Sequence, residues 1–422
     1  MSSEPEQGNG AGDDEHSGGL PEDQMFEMLT RVSLDDLSAC RQVSAQWRRL
    51  TYEPAFSALH CRRRADAVVS GYFVQGMARN RYSATFVSMH PSQADADPSV
   101  SLDFLPSAHV RVEAVSMHPS QADADPSVSL DFLPSAHVRV EAVSAHRGLA
   151  CCVDADADAA ARMGGKTSSA RCYYACKPAT RQWRALPNPR LRFPTAVTAM
   201  VARPAGAGAA ADFKILRLSV PTLRDHLRCE IFDSRRRAWR RSADVMVWPE
   251  SLVAAGPALR AHGAMHWLRW PDRVSAAEDI FAFDMKSEAW RLIVLPPEVE
   301  DRTDRWAGKK KLVTVEGKLC LVVTVDEEAE VWVIADYGRQ QERWEKKMAV
   351  NLKNLGMQEG RALILRDLCS SEVAFFNSVY RVIWYHFWRG EIAEVPVHHK
   401  CIQEVFKYES DLVPWDIDEN KI

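Results

Sequence analysis

His262 and His266 stand four residues apart, the spacing at which two imidazoles on a helix can share a metal ion. His398, His399 and Cys401 offer a second set of nitrogen and sulfur donors, and Asp154, Asp156 and Asp158 alternate three carboxylates as a calcium loop does. None of these sets is complete. The stretch HGAMHWL is strand-like, where i and i+4 side chains need not converge. The His-His-Lys-Cys run has no second cluster to close a four-ligand shell, and the aspartates lack the turn glycine and the closing glutamate. They read as structural histidines and a solvated loop. No nucleophile–base pair stands out, and no G-x-S-x-G, G-x-G-x-x-G or Walker loop occurs. The expectation is no catalytic, cofactor-binding or metal-ligating residue, and no cofactor.

The chain has 422 residues, 46% apolar, with a net charge of −4. That is a globular composition without the basic excess of a nucleic-acid binder. Arg235, Arg236, Arg237, Arg240 and Arg241 do cluster; an exposed hairpin turn and its following strand explain them more simply than a nuclear-import patch. No run of 18 apolar residues predicts a membrane span. Ten cysteines without a secretory signal or paired CxxC units suggest reduced thiols in the cytosol or nucleus. Residues 1–19 are polar, acidic and Gly-rich, and read as a disordered tail.

Two kinds of element would have to position any function. Residues 20–60 predict three or four short helices. Met25, Met28, Leu29 and Val32 fall at i, i+3, i+4 and i+7. Ser33 reads as a helix start, followed by Leu34, Leu37 and Cys40 on one side. Val43, Trp47 and Leu50 mark a third segment, and Pro54 opens a fourth. A domain this small needs support, from a partner or from packing on its own C-terminal domain.

Residues 67–415 predict a second, all-β domain. Trp183, Trp239, Trp290 and Trp344 recur 56, 51 and 54 residues apart, each after a strand-like stretch and a polar turn. Several short strands per unit of about 50 residues suggest propeller blades, with each Trp wedged against the neighbouring blade. The fold expected is α+β multidomain: a small all-α module, then an all-β propeller of six blades (seven as the alternative), then a tail, 416–422. Closure would put Gly71–Val74 and Thr85–Val87 in one blade with Ile402–Val413.

The 28 residues 87–114 recur without change at 115–142. Identical copies beside diverged blades imply a recent duplication or a gene-model error, with one copy supplying strands such as Val100–Leu105 and Val110–Val115 and the other looped out.

The helical segment resembles an F-box in its Leu20, Pro21, Asp23, Glu27, Leu29, Arg31, Leu37, Arg41, Val43 and Trp47, with Ser33 and Ser44 where that family often has Pro and Cys. CKPATRQWRALPNP (176–189), AVSAHRGLACC (142–152) and FKYESDLVPW (406–415) resemble the kelch-like, F-box-associated domain of plant F-box proteins. The resemblance implies docking onto the adaptor subunit of an SCF-type ubiquitin ligase through Leu20, Pro21, Met25, Met28, Leu29, Val32, Leu34, Leu37, Cys40, Arg41, Val43 and Trp47. The propeller would hold an unknown target protein. The protein would then be a non-catalytic substrate receptor in the cytoplasm or nucleus. A propeller enzyme and a non-degradative scaffold are the alternatives.

Overall fold

The computed structural model describes residues 21–32, most of 37–60, 69–88 apart from 79–80, and most of 128–415, with its longer breaks at 155–171, 204–211, 271–277, 301–309 and 356–362. Both terminal tails, Leu20, Ser33, Leu34, Pro54, nearly all of the first 28-residue copy, Asp156, Asp158, His398 and His399 lie outside the described residues.

Helix α1 spans Glu22–Leu29, its first turn acidic as the positive end of the helix favours. Helix α2 spans Ala45–Thr51 and starts where Ser44 leaves helical geometry (φ −157°, ψ 159°) and accepts a hydrogen bond from the Trp47 amide at 3.1 Å. This corrects the expected third segment. The serine N-cap breaks the chain between Val43 and Trp47, so the two residues belong to different helical pieces.

The β domain is a ring of six sheets. One holds β1 (Val69–Ala78), β2 (Arg81–Ser88) and the last strand, β23 (Ile402–Ser410). The first four-stranded blade is β3 (Val138–Ser144), β4 (Leu149–Asp154), β5 (Tyr173–Lys177) and β6 (Gln182–Leu186). The second is β7 (Thr195–Ala202), β8 (Phe213–Ser219), β9 (Arg228–Asp233) and β10 (Ala238–Arg241). The third is β11 (Leu259–Ala261), β12 (Ala264–Arg269), β13 (Asp279–Asp284) and β14 (Trp290–Val294). The fourth is β15 (Lys310–Val315), β16 (Lys318–Val325), β17 (Glu328–Ile334) and β18 (Trp344–Asn351). The fifth is β19 (Ile364–Leu368), β20 (Val373–Asn377), β21 (Arg381–His386) and β22 (Ile392–Pro396).

Sequence character follows position in the blade. Middle strands such as β12 (AMHWLR) and β20 (VAFFN) are buried along their whole length, because both faces meet neighbouring blades; outer strands such as β18 are mostly exposed. Charges inside the middle strands are paired across the sheet. Arg217 meets Glu230 at 2.8 Å, and Arg269 clamps Asp279 with two bonds of 2.6 and 2.7 Å. Each pair occupies directly opposed ladder positions.

The ring closes as expected. β1 pairs antiparallel with both β2 and β23, joining the two ends of the propeller sequence. Tyr72 of β1 stacks on Phe375 at 4.2 Å and donates to Asp367 at 2.8 Å, which fixes one flank to the fifth blade. Tyr408 of β23 accepts from the Ala179 amide at 3.1 Å, which fixes the other to the first blade. At Gly148 (φ +61°) a Cβ would lie 2.1 Å from Ser410 Oγ, so the β3–β4 turn approaches the closing strand as only glycine allows.

The second copy ends inside β3 (Val138–Ser144), but in the stretch equivalent to Val100–Leu105 the described residues Val128 and Leu130–Leu133 are bend and turn instead of strand. Leu133 N bonds Leu130 O at 3.2 Å, and Pro134 follows without an amide to donate. Val128, Leu130 and Leu133 are buried instead as an irregular plug.

Candidate functional site

The helical module is seated on the ring. One continuous core includes Met25, Leu29, Leu37, Leu50 and Phe56 of the module, the plug residues Val128, Leu130 and Leu133, and Phe73, Tyr174, Phe406 and Tyr408 of the propeller. Phe26 meets Phe56 edge-on at 5.8 Å, and a ring nitrogen of His60 lies 3.0 Å from Val32 O. Glu22 bridges to Arg49 at 2.8 Å, linking α1 to α2.

A cationic side chain clasps the two parts together. Arg181 occupies the left-handed region (φ 54°) in the turn between β5 and β6. Its guanidinium lies 4.9 Å from the Tyr52 ring centre and 5.8 Å from that of Phe132, with an ion pair to Asp131 at 2.7 Å. Arg41 covers Tyr52 at 4.4 Å and donates to Thr51 Oγ1 at 3.0 Å.

This seating divides the expected docking residues. Met25, Leu29, Leu37 and Arg41 are buried within the chain, and Cys40 and Trp47 pack partly against the same core. Met28 (51% exposed) and Val43 (63%) point to solvent, as does Pro21, and Val32 is half-buried. The eight-residue helix α1 thus turns Met25 and Leu29 inward and Met28 outward.

The four tryptophans occupy equivalent ladder positions at the start of the outer strands. Trp183 faces Cys176, Trp239 faces Phe232, Trp290 faces Phe283 and Trp344 faces Ile334. Their environments differ. Trp239 is 3% exposed and donates its indole N–H to Pro187 O of the preceding blade at 2.7 Å. Trp344 does the same to Val294 O at 2.9 Å, and Trp290 packs against a core shared by the second and third blades. Trp183 is 38% exposed and touches Tyr174 of its own blade.

The candidate chemical residues are engaged by protein partners. His262 sits at the tip of the β11–β12 hairpin, stacks on Tyr337 at 4.2 Å and accepts from the Leu319 amide at 3.2 Å. His266 lies 2.8 Å from Tyr337 Oη, and burial pulls its pKa down to about 4. Among the described residues no group of three or more His, Cys, Asp or Glu could hold a metal ion, and no helix is long and apolar enough to cross a membrane. Arg235 pairs with Asp212, Arg240 with Glu288 and Arg241 with Asp244, in the β9–β10 turn and the strand after it.

What the sequence did not single out is the lumen. The inner strands β3, β7, β11, β15, β19 and β23 surround a channel of about 290 Å3.

An Arabidopsis thaliana F-box protein is 25% identical over 198 residues, covering 43% of this chain; the match spans about half (51%) of that relative's length. Among solved structures, a chain of a nidogen/laminin complex aligns with 81% of this chain and 98% of its own, at 10% identity and a TM-score of 0.37. A six-bladed propeller lectin from Aleuria aurantia aligns with 79% of this chain and 96% of its own, at 8% identity and a TM-score of 0.37. Residues 110–395, more than half of the chain, match the F-box associated beta propeller domain, and with six closed blades behind a short helical module the chain belongs to that family.

Proposed function

We propose that this protein is the substrate receptor of an SCF-type ubiquitin ligase, its helical module docking on the adaptor subunit and its propeller holding a target protein. The observation that carries the reading is the seating of the module. A helical unit with Pro21, Met28 and Val43 exposed is fixed to a closed ring through Arg181, Tyr52 and a shared core. Such a joint sets the distance between adaptor and target. A receptor of this kind has no chemistry of its own; it acts by raising the concentration of target lysines near the transferring enzyme. Among the described residues the docking surface comprises Pro21, Met28, Val32, Val43 and the outer edge of Trp47. The buried Met25, Leu29 and Leu37 support it from beneath. The protein works in the cytoplasm or nucleus.

The test is a pull-down with the purified adaptor. Met28→Asp together with Val43→Asp changes only exposed side chains, so the fold should persist while binding falls at least tenfold. Binding at wild-type strength by a folded double variant would refute the docking reading. Proteasome-dependent turnover of captured proteins separates a ligase receptor from a non-degradative scaffold.

A further inference from the structure

Among the described residues, five cationic side chains line the central channel (Arg260, Lys310, Lys311, Arg366 and Lys407) against two carboxylates, Asp367 and Glu409. Two of the cations are neutralised. Lys310 is bonded to buried Glu278, and Lys407 lies 3.3 Å from Asp367 and 3.9 Å from Glu409. The others are not. Arg366 donates to Asn377 Oδ1 at 2.5 Å and to Gln403 O at 3.2 Å, both uncharged acceptors. Lys311 has neither a hydrogen bond nor an ion pair with any described residue. Its Nζ lies 3.7 Å from where a Cβ on Gly256 would stand. Arg260 is exposed in the same wall.

Lys311 is enclosed by the ring yet keeps some contact with the lumen, and this enclosure, with the nearby Arg366 charge, pulls its pKa down to about 8. The carboxylates close enough to oppose that shift, Asp367 and Glu404, are occupied elsewhere. Asp367 serves Tyr72 and Lys407, and Glu404 accepts from Gln75 at 2.6 Å and lies 3.6 Å from Arg139. Enclosed charge without a counter-charge costs free energy. Among the described residues of the channel, Lys311 and Arg366 have no ion-pair partner, and with Arg260 they bring cations from β11, β15 and β19 to one cavity of about 290 Å3.

We propose that the central channel binds a small multivalent oxyanion, carboxylate or phosphate in type, held between Lys311 and Arg366 with Arg260 beside them. The oxyanion is either a free small molecule or an acidic side chain of a bound polypeptide; the recognising chemistry is the same. The site depends on the ring alone and stands whether or not the helical module docks on an adaptor.

Calorimetric titration of the full chain at low ionic strength tests this, with pyrophosphate, citrate and a glutamate-rich hexapeptide as probes. Saturable one-site binding of at least one probe is expected, weakened at least tenfold by Lys311→Met and by Arg366→Gln. Binding of the small anions without the peptide identifies a free ligand, and the reverse identifies a polypeptide one. No saturable binding by any probe, or equal affinity in both variants, overturns the site. A second measurement needs no variant. Limiting acetic anhydride at pH 8 should acetylate Lys311, and a saturating bound probe should protect it at least fivefold while exposed Lys286 reacts unchanged. Labelling of Lys311 that ignores the probe also overturns the proposal.

Discussion

Arg181 holds its guanidinium 4.9 Å from the ring centre of Tyr52, so a turn of the first four-stranded blade grips the residue that ends α2. Cation–π contacts of this kind contribute about 0.5–1 kcal/mol when exposed and more when desolvated. Arg181→Asn keeps a residue that tolerates the left-handed backbone and removes the cation. Amide exchange in Ala45–Thr51 should accelerate several-fold while the blade strands keep their protection. Unchanged exchange would show that the apolar core alone seats the module.

The tryptophans should differ in worth. Trp239 is buried between two blades, so Trp239→Ala should cost about 3–5 kcal/mol. Trp183, far more exposed and without a neighbouring-blade bond, should cost about 1 kcal/mol or less on the same change. Thermal melting of the two variants decides it, and equal losses would mean that the repeat position, not the burial, sets the energy.

Truncation after Pro396 removes β23 and with it one partner of β1, the Tyr408 contact to Ala179 and the buried Trp415 that Gln182 brackets with bonds of 2.7 and 2.9 Å. β1 would keep β2 on one side and present an open edge to the ring's interior on the other. The truncated chain should melt at least 10 °C lower or fail to fold. A melting curve that overlays the full-length one would mean that the ring does not depend on its closing strand.

Deleting residues 87–114 leaves the same sequence as deleting 115–142, since the copies are identical. The residues that build the plug and β3, 128–144, are present letter for letter at 100–116. The shorter protein should therefore fold at least as stably. Changing the length of a connection twofold alters closure by only about 0.6 kcal/mol. Loss of folding on deletion would show that both copies are structural.

Stability should also carry a signature of Lys311. Its native pKa, about 8, lies below the value of 10.5 for an unperturbed lysine. Between these values the unfolded chain binds the extra proton, so this group makes stability rise as pH rises from about 8 to about 10.5. Below pH 8 its destabilising effect is fully present. Lys311→Met should be at least as stable as wild type near pH 7, and the stability difference between the two should narrow through that window. A constant difference across it would place the lysine in ordinary solvent.

The blades were legible because the outer strand of four of them carries a tryptophan at its first or second position, set against the strand before it, so Phe232–Trp239 and Phe283–Trp290 repeat one hairpin register. The fifth blade hid from that signal: its large aromatics, Phe375 and Trp384, lie in the middle strands, and β22 carries none. The module's helices were legible from period, but which side of α1 faces inward was not, since Met25 and Met28 differ only in what the distant propeller brings beneath them. Arg217–Glu230 and Arg269–Asp279 escaped because a charge within an apolar run gives no sign of its cross-strand partner. The channel could not be read at all. It takes single residues from strands about fifty positions apart, and no local spacing marks them.

The pairing of β1 with β23 sets an order in time. During synthesis, β1 emerges more than three hundred residues before its second partner, an interval of roughly 15–70 s at ribosomal speeds. Phe406 and Tyr408, on that late strand, also belong to the core that seats the helical module. A nascent or prematurely ended chain therefore has only part of the core beneath its helices. Completing the last strand closes the ring and fills out the core beneath the module in one event.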